Sequence, residues 1–289
     1  MDINYLGPQK TYSNQVAELF AANMREVKLK PKASLESVAK EVSLTKEGLG
    51  VMAYYNYLEG LVQECLDLIY ENDLRIIGAQ RLPIILSIGQ DKNNIDLTSV
   101  YSHPKALAQC SEWLMKNYPQ TKQIGALSTA GAASKVSKES GMAIASLSAL
   151  VDNGLDILAQ DIGNKKYGRT NFTDFYLVSK EDIQKQDKTK NYLTMVAITP
   201  HIDKPGLLSD ILMQVAYHNL NNVKIHSRPA LDDVQIDNNE PQMFYLEMKT
   251  HESSDDFKRC IDSLKYKLTP HGKDIEVVRV LGSYEQPVI

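Results

Sequence analysis

The sequence predicts an α/β protein in two units, and three observations support this. Over residues 1–180, short β-like runs alternate with amphipathic helical segments, as in a largely parallel sheet covered by helices. Residues 181–191 have no apolar face and are almost all charged or amide-bearing, which is typical of a linker. Residues 192–285 follow the order strand, helix, strand, strand, helix, strand, which predicts a ferredoxin-like βαββαβ unit.

Strands are assigned to short apolar or β-branched runs, and helices to segments with one apolar face. In the first unit, strands are predicted at residues 3–7, 50–55, 75–89 (bent at Pro83), 99–102, 123–127, 142–146, 156–160 and 175–178, and helices at 13–23, 35–42, 61–70, 105–117, 131–139 and 146–152. In the second unit, strands are predicted at 192–198, 222–227, 242–249 and 274–281, and helices at 206–218 and 254–268. The long acidic loop 231–241 is expected to be mobile.

The composition argues against several classes of protein. Acidic residues outnumber basic ones by 36 to 32, so the chain has no basic surface for a nucleic acid. No apolar run approaches the roughly 18 residues of a membrane span, and the first residues do not resemble a signal peptide, so we expect a cytoplasmic protein with no membrane partner. The three cysteines are far apart and lack metal-ligand spacing, which indicates core thiols.

Hydroxyl side chains cluster where three predicted strands of the first unit turn into helices. Free N–H groups and the helix dipole favour an anion at such junctions, which gather along one crevice in an open α/β sheet. A small molecule with more than one carboxylate would fit there, although each hydroxyl could equally be only a helix cap. Lys10, in the first of these turns, could reach the crevice or remain solvated. The hydroxyls belong to Thr11, Ser13, Ser102, Ser128 and Thr129.

Two stretches of the second unit are also candidates for ligand contact. DKPGLL (203–208) is a strand-to-helix turn whose glycine permits close approach of a ligand, and IHSRP (225–229) ends the next strand. Arg228 is a candidate partner for a carboxylate. His226 is either a functional residue or a surface or interface histidine.

Several stretches resemble the prephenate dehydratase family with its C-terminal ACT domain, over nearly the whole chain. They are YLGPQKTYS, SHPKALAQC, STAGAA, NFTDF, KPGLL and HSRP. The resemblance implies a bilobal, periplasmic-binding-protein-like (type II) catalytic domain, prephenate as substrate, no metal or organic cofactor, and a homodimer or homotetramer. It also implies phenylalanine as an effector of the ACT domain. The effector contacts would come from Gly206, Leu207, Leu208, His226, Ser227 and Arg228, with His226 in place of a glutamate.

The resemblance also assigns catalytic positions, and the departures from the family pattern concentrate there. Thr173 matches the family's catalytic threonine and Asn56 is retained. An arginine of the family is replaced by Asp174, and two glutamates are replaced by Tyr55 and Gln80. Substrate contacts are expected from Lys10, as a substitute cation, and from Thr11, Ser13, Ser102, Ser128, Thr129, Asn171 and Phe172.

Three functions are compatible with these residues. We favour a non-aromatising prephenate decarboxylase of the bacilysin type, which releases CO2, protonates the ring and keeps the hydroxyl, because Tyr55, Tyr57 and Asp174 depart from the dehydratase pattern. Thr173, Asn56, Tyr55 and Asp174 are then the candidate catalytic residues. The alternative is a prephenate dehydratase that forms phenylpyruvate, CO2 and water. A second alternative is a catalytically silent amino-acid sensor.

Overall fold

The computed structural model describes residues 1–93, 95–165, 168, 170–181, 187, 190–231, 241–269 and 276–287. Its strands are β1 (Asp2–Leu6), β2 (Lys28–Lys32), β3 (Gly48–Asn56), β4 (Gly60–Leu61), β5 (Arg75–Pro83), β6 (Ser87–Gln90), β7 (Ser99–Ser102), β8 (Lys122–Gly125), β9 (Met142–Ala145), β10 (Asp156–Ala159), β11 (Phe172–Ser179), β12 (Tyr192–Ile198), β13 (Asn222–Pro229), β14 (Gln242–Met248) and β15 (Val278–Glu285). Its helices are α1 (Tyr12–Ala21), α2 (Leu35–Ser43), α3 (Gln63–Glu71), α4 (Pro104–Gln109), α5 (Ser111–Asn117), α6 (Thr129–Val136), α7 (Leu147–Asp152), α8 (Leu207–Tyr217) and α9 (Asp255–Leu268).

The first lobe is built on a sheet with the strand order β2-β1-β3-β11-β5, to which β4 adds beside β3. Strands β1, β2 and β3 are parallel, whereas β11 is antiparallel to β3 and β5. Helix α1 packs on one face of the sheet through Val16 and Ala17. Helices α2 and α3 cover the other face.

The second lobe is a sheet with the order β10-β6-β9-β7-β8, packed by helices α4 to α7. The chain leaves the first sheet after β5 and returns to it as β11. The two lobes are therefore joined by two connections, and a cleft lies between them.

The C-terminal unit is an antiparallel sheet in the order β13-β14-β12-β15, with α8 and α9 packed against one face. Its other face packs against the first lobe, where Met195 and Tyr245 share one apolar cluster with Met52 and Tyr176. The contact between β15 and β5 is close enough that a β-carbon at Gly282 would overlap the backbone of Ile76.

Four differences from the sequence prediction affect elements around the cleft. Strand β2 was not predicted because its lysines and Pro31 hide the alternation, and both features are tolerated on an edge strand. The predicted strand at 75–89 is two strands that break after Pro83, and the predicted helix at 105–117 is two helices that meet at Cys110. Strand β11 begins at Phe172, before the predicted residue 175, and therefore includes Thr173.

Two predictions fall largely on residues that the structure does not describe. They are the linker at 181–191 and the mobile loop at 231–241. None of the described helices is long and apolar enough to cross a membrane.

Candidate active site

A cleft of about 810 Å³ lies between the two lobes. It is bounded by the ends of β1 and β3, the start of β11 and the N-terminal turns of α1, α4 and α6. The polar and charged residues that line it are Thr11, Tyr12, Ser13, Lys32, Asn56, His103, Lys105, Gln109, Ser128, Thr129 and Thr173. None of these lining residues, all within the described part of the chain, is Asp or Glu. The cleft therefore favours an anionic ligand.

Thr173 lies in the cleft lining, and its hydroxyl is hydrogen-bonded to Asn56. Its side chain is 8% exposed, and Asn56 Nδ2 donates to Thr173 Oγ1 at 2.9 Å. The amide of Asn56 is itself fixed, because its Oδ1 accepts the backbone N–H groups of Leu58 at 3.0 Å and Glu59 at 3.2 Å. Since Thr173 Oγ1 accepts a hydrogen bond from Asn56, its own O–H can be donated to a ligand.

A β-bulge in β3 places Asn56 opposite Thr173. Thr173 pairs with Asn56 and Asp174 with Tyr55, but Phe175 pairs with Ala53, so that Tyr54 is the extra residue. In a regular strand, positions 53 and 56 would lie on opposite faces of the sheet. The bulge brings both Ala53 and Asn56 to the cleft, where Thr173 and Phe175 also lie.

The hydroxyls at two helix starts combine capping with access to the cleft. Thr11 caps α1 by accepting the N–H of Asn14 at 3.3 Å, and Ser128 caps α6 by accepting the N–H of Gly131 at 2.9 Å. Ser13 and Thr129 follow them in the cleft lining. The capping role and the ligand-binding role predicted for these turns are therefore compatible, because a capped helix start still has a positive dipole end.

The cations of the cleft have carboxylate partners outside its lining. Lys32 Nζ lies 2.8 Å from Glu41 Oε2, and Lys105 Nζ lies 2.6 Å from Glu59 Oε2. Glu59 Oε1 also accepts from Gln109 Nε2 at 2.9 Å. Because Glu59 belongs to the first lobe, whereas Lys105 and Gln109 share one face of α4 in the second, Glu59 links the lobes at the edge of the cleft.

Tyr12, Lys32 and the residues of α4 line the cleft but were not predicted as site residues. The signal was available in SHPKALAQC, where Lys105 and Gln109 are four residues apart and face the same side of a helix that starts at a strand end. His103 caps α4 by accepting the N–H of Lys105 at 3.2 Å. Tyr12 donates to the carbonyl of Ile85 at 2.8 Å, and burial raises the pKa of Tyr12, which keeps its hydroxyl protonated.

Asp174 and Tyr55, both predicted as catalytic, lie on the face of the sheet away from the cleft. Asp174 is 2% exposed and forms a bidentate ion pair with Arg81, at 2.7 Å and 2.9 Å. Tyr55 packs beside it, with Lys224 Nζ 4.8 Å from its ring centroid. The alternation of β11 turns Asp174 away from Thr173, and Tyr55 and Asn56, as consecutive residues of β3, likewise face opposite sides of the sheet.

Four predicted substrate-binding residues are not brought to the cleft lining either. Lys10 lies in a left-handed turn with φ of 69°, and its ammonium group pairs with Asp152 of the second lobe at 2.9 Å. Ser102 is fully buried and donates to the carbonyl of Ile144 at 2.6 Å. Phe172 packs under the guanidinium group of Arg81 at 3.9 Å, and Asn171 is 6% exposed at a neighbouring small pocket.

The predicted effector residues fall into two separate places. His226, Ser227 and Arg228 line a pocket of about 400 Å³ between the C-terminal unit and the first lobe, where Arg228 pairs with Asp67 of α3. In contrast, Leu207 lines another pocket of about 280 Å³ on the far side of the unit. Neither Gly206 nor Leu208 lines either of these pockets, and Leu208 is 38% exposed.

No cluster of three or more His, Cys, Asp or Glu residues in the described part of the chain is arranged to hold a metal ion. The three cysteines are buried free thiols.

Comparisons with known proteins place this chain in a family. The family model for prephenate dehydratase matches residues 3–183. The bifunctional chorismate mutase/prephenate dehydratase of Aquifex aeolicus is 30% identical over 290 residues, which cover 99% of this chain and 74% of that protein. The prephenate dehydratase of Methanocaldococcus jannaschii is 33% identical over 230 residues, covering 78% of this chain and 82% of that protein.

The solved structures agree on the fold. The prephenate dehydratase of Arthrobacter aurescens, in complex with L-Phe, superposes with a TM-score of 0.83 at 24% sequence identity, covering 100% of this chain and 92% of that one. This chain therefore belongs to the prephenate dehydratase family of lyases.

Proposed function

We propose that the protein is a prephenate dehydratase, which converts prephenate to phenylpyruvate, CO2 and water. In this proposal residues 1–180 form the bilobal, periplasmic-binding-protein-like (type II) catalytic domain, and residues 192–285 form an ACT regulatory domain. The observation that carries the proposal is the fixed Asn56–Thr173 pair, which presents a hydroxyl donor to a cleft without lining carboxylates. Membership of the family supports the same reaction.

The geometry supplies what this reaction needs. Prephenate carries two carboxylates, for which the cleft offers Lys105 and the capped helix starts at Thr11 and Ser128. The bond to CO2 breaks, its electron pair completes the aromatic ring, and the ring hydroxyl leaves as hydroxide, which takes up a proton from solvent to become water. Thr173 donates a hydrogen bond to that hydroxyl as negative charge develops on it, which is the kind of transition-state contact that accelerates a reaction.

Non-aromatising prephenate decarboxylation is the second candidate, and one observation favours it. The cleft lining holds no carboxylic acid that could protonate the departing hydroxyl, and Gln80 stands where the family has a glutamate. However, Asp174 and Tyr55 no longer support this candidate, because both face away from the cleft. We therefore rank it below the dehydratase, which reverses the order that the sequence favoured.

Product analysis separates the candidates. The protein is incubated with prephenate while the ultraviolet band of phenylpyruvate and the released CO2 are measured. The dehydratase predicts equal amounts of both products. CO2 without phenylpyruvate would establish the decarboxylase instead, and binding of prephenate without turnover would leave the silent sensor.

Replacement of Thr173 tests whether its hydroxyl takes part in the reaction. Thr173→Val keeps the shape and removes the hydroxyl, so kcat should fall by about tenfold or more. The matched control is Thr199→Val, at a buried threonine of the C-terminal unit outside the cleft. An unchanged kcat for Thr173→Val would remove Thr173 from the chemistry.

We also propose that phenylalanine regulates the enzyme through the C-terminal unit and that the chain works as a homodimer or homotetramer. The support is the βαββαβ order of that unit and the L-Phe bound to the Arthrobacter aurescens relative. Calorimetry with phenylalanine, and size-exclusion chromatography with light scattering, test the two parts. Absence of binding, or a monomer at all concentrations, would refute the corresponding part.

A further inference from the structure

A buried charged cluster lies directly behind Thr173, between the first lobe and the C-terminal unit. Lys224, on β13, contributes an ammonium group to this cluster. Lys224 Nζ lies 3.2 Å from Glu247 Oε2 and 4.0 Å from Asp174 Oδ2, and it donates to the hydroxyl of Tyr54. Asp174 and Glu247 are 2% and 1% exposed, so two buried carboxylates depend on this cation and on Arg81 for compensation.

The same ammonium group contacts both aromatic residues of the bulge in β3. Its nitrogen lies 4.6 Å from the ring centroid of Tyr54 and 4.8 Å from that of Tyr55. Cations are attracted to aromatic faces, and the attraction is stronger where water is excluded. The hydroxyl of Tyr54 also donates to Glu247 Oε1 at 3.0 Å, which ties the extra residue of the bulge to β14.

The bulge determines whether Asn56 and Thr173 face each other. It sits between the pairs Asp174–Tyr55 and Phe175–Ala53, one residue away from the pair Thr173–Asn56. If Tyr54 and Tyr55 lost their partners, β3 could relax toward regular alternation, and Asn56 would turn out of the cleft.

We infer that Lys224, a residue of the C-terminal unit, is a positioning residue for Thr173, acting through the bulge at Tyr54 and Tyr55. This inference rests on the proposed function, in which Thr173 touches the substrate. It makes the catalytic geometry depend on how β13 is docked. The segment His226–Arg228 lies on the same strand, so a ligand that moves β13 would reach Thr173 through Lys224.

The chain contains a control for simple loss of docking. Arg75 of β5 also bridges to the C-terminal unit, with Nη2 2.7 Å from Glu252 Oε2, but it contacts neither the bulge nor Asp174. Arg75→Met therefore removes a second ion pair between the same two units. A merely structural role predicts that Lys224→Met and Arg75→Met lower activity alike.

The experiment compares Lys224→Met, Lys224→Arg and Arg75→Met with the wild type in steady-state turnover of prephenate. Displacements of about 1 Å near a reacting group can cost up to about a hundredfold in rate. We expect Lys224→Met to lower kcat by about tenfold or more with KM changed less than about threefold. Lys224→Arg should restore most of kcat, and Arg75→Met should keep kcat within about twofold. Equal losses in the two Met variants, or an unchanged kcat in Lys224→Met, would overturn the inference.

A crystal structure of Lys224→Met gives a readout that does not need turnover. The Asn56 Nδ2 to Thr173 Oγ1 distance, 2.9 Å in the wild type, should lengthen beyond hydrogen-bonding range. If the hydrogen bond between Asn56 and Thr173 is retained in Lys224→Met, the inference is refuted, whether or not the wild type turns over prephenate. Failure of the wild type to turn over prephenate would by itself refute only the proposed function. If Lys224→Met does not fold, Tyr54→Phe removes the hydroxyl that contacts both Lys224 and Glu247, and it takes the same two measurements.

Discussion

Reversing the charge of Asp174 should destabilise the protein without creating a better active site. The family has an arginine at this position, so Asp174→Arg restores the family residue. In this chain, however, position 174 faces Arg81 across the strand pair and Lys224 of the C-terminal unit. The new guanidinium group would therefore lie beside two cations, and Glu247 would be left to balance the positive charge of all three groups.

The size of the effect can be estimated from burial. The side chain of Asp174 is 2% exposed and that of Arg81 is 24% exposed. The carboxylate is therefore shielded from water, whereas the guanidinium group is partly solvated. Breaking a buried ion pair by removing one partner costs about 3–5 kcal/mol, and the added repulsion makes this a lower bound. An unfolding entropy of about 2.1 cal/mol/K per residue means that about 1 kcal/mol shifts the Tm of a 289-residue chain by about 1.6 °C. Asp174→Arg should thus lower Tm by about 5 °C or more.

The assay is thermal unfolding followed by circular dichroism, with prephenate turnover measured at a temperature where each variant is folded. The control is Glu139→Arg, which reverses a carboxylate that is 59% exposed and pairs with Lys135 on the surface. Exposed pairs contribute about 0.2–1 kcal/mol, so Tm should change little. The double variant Asp174→Arg, Arg81→Asp should recover part of the loss, because it restores opposite charges across the strands.

Two results would refute this reasoning. An unchanged Tm for Asp174→Arg would mean that position 174 is not buried against Arg81. A gain in phenylpyruvate formation would mean that the side chain at 174 reaches the substrate after all.

Two further predictions concern Glu59 at the edge of the cleft and His226 in the pocket between the C-terminal unit and the first lobe. Glu59→Gln removes the negative charge that holds Lys105 and Gln109. Because the side chain of Lys105 is 68% exposed, this link between the lobes contributes at most about 1 kcal/mol, and we expect KM for prephenate to rise by about two- to fivefold with kcat unchanged. A lower KM would instead mean that Lys105 binds the substrate better without its partner Glu59. Burial, and then the charge of Lys224, lower the pKa of His226 below its ordinary value of 6.5. The unfolded chain therefore takes up a proton near pH 6.5 while the folded chain does not, so the free energy of unfolding should fall as the pH drops from about 6.5 toward the folded-state pKa. His226→Gln should flatten this part of a plot of Tm against pH, and His218→Gln, in the same unit, is the control; an equal slope in the His226 variant would refute the assignment.

The order of strands and helices was accessible from the sequence because it depends on local periodicity. The apolar runs at 192–198 and 242–249 and the amphipathic segment 254–268 correspond closely to β12, β14 and α9. The helix starts at Thr11 and Ser128 were found for the same reason, since capping involves residues only a few positions apart. Edge strand β2 was missed because its environment, and not its pattern, makes it a strand.

The sequence by itself determined that the cleft would be lined by hydroxyls at strand-to-helix turns, and the resemblance singled out Thr173 and Asn56 in it. Only the tertiary structure decided which neighbours of these two residues belong to the cleft. The alternation of β11 turns Asp174 toward the C-terminal unit, and the extra residue in β3 puts Tyr55 on that side, opposite to Ala53. Lys105 lies at the cleft across from the turn at Glu59. The physical reason is range: propensities and caps act over a few residues, whereas strand register and lobe packing join residues more than 40 positions apart.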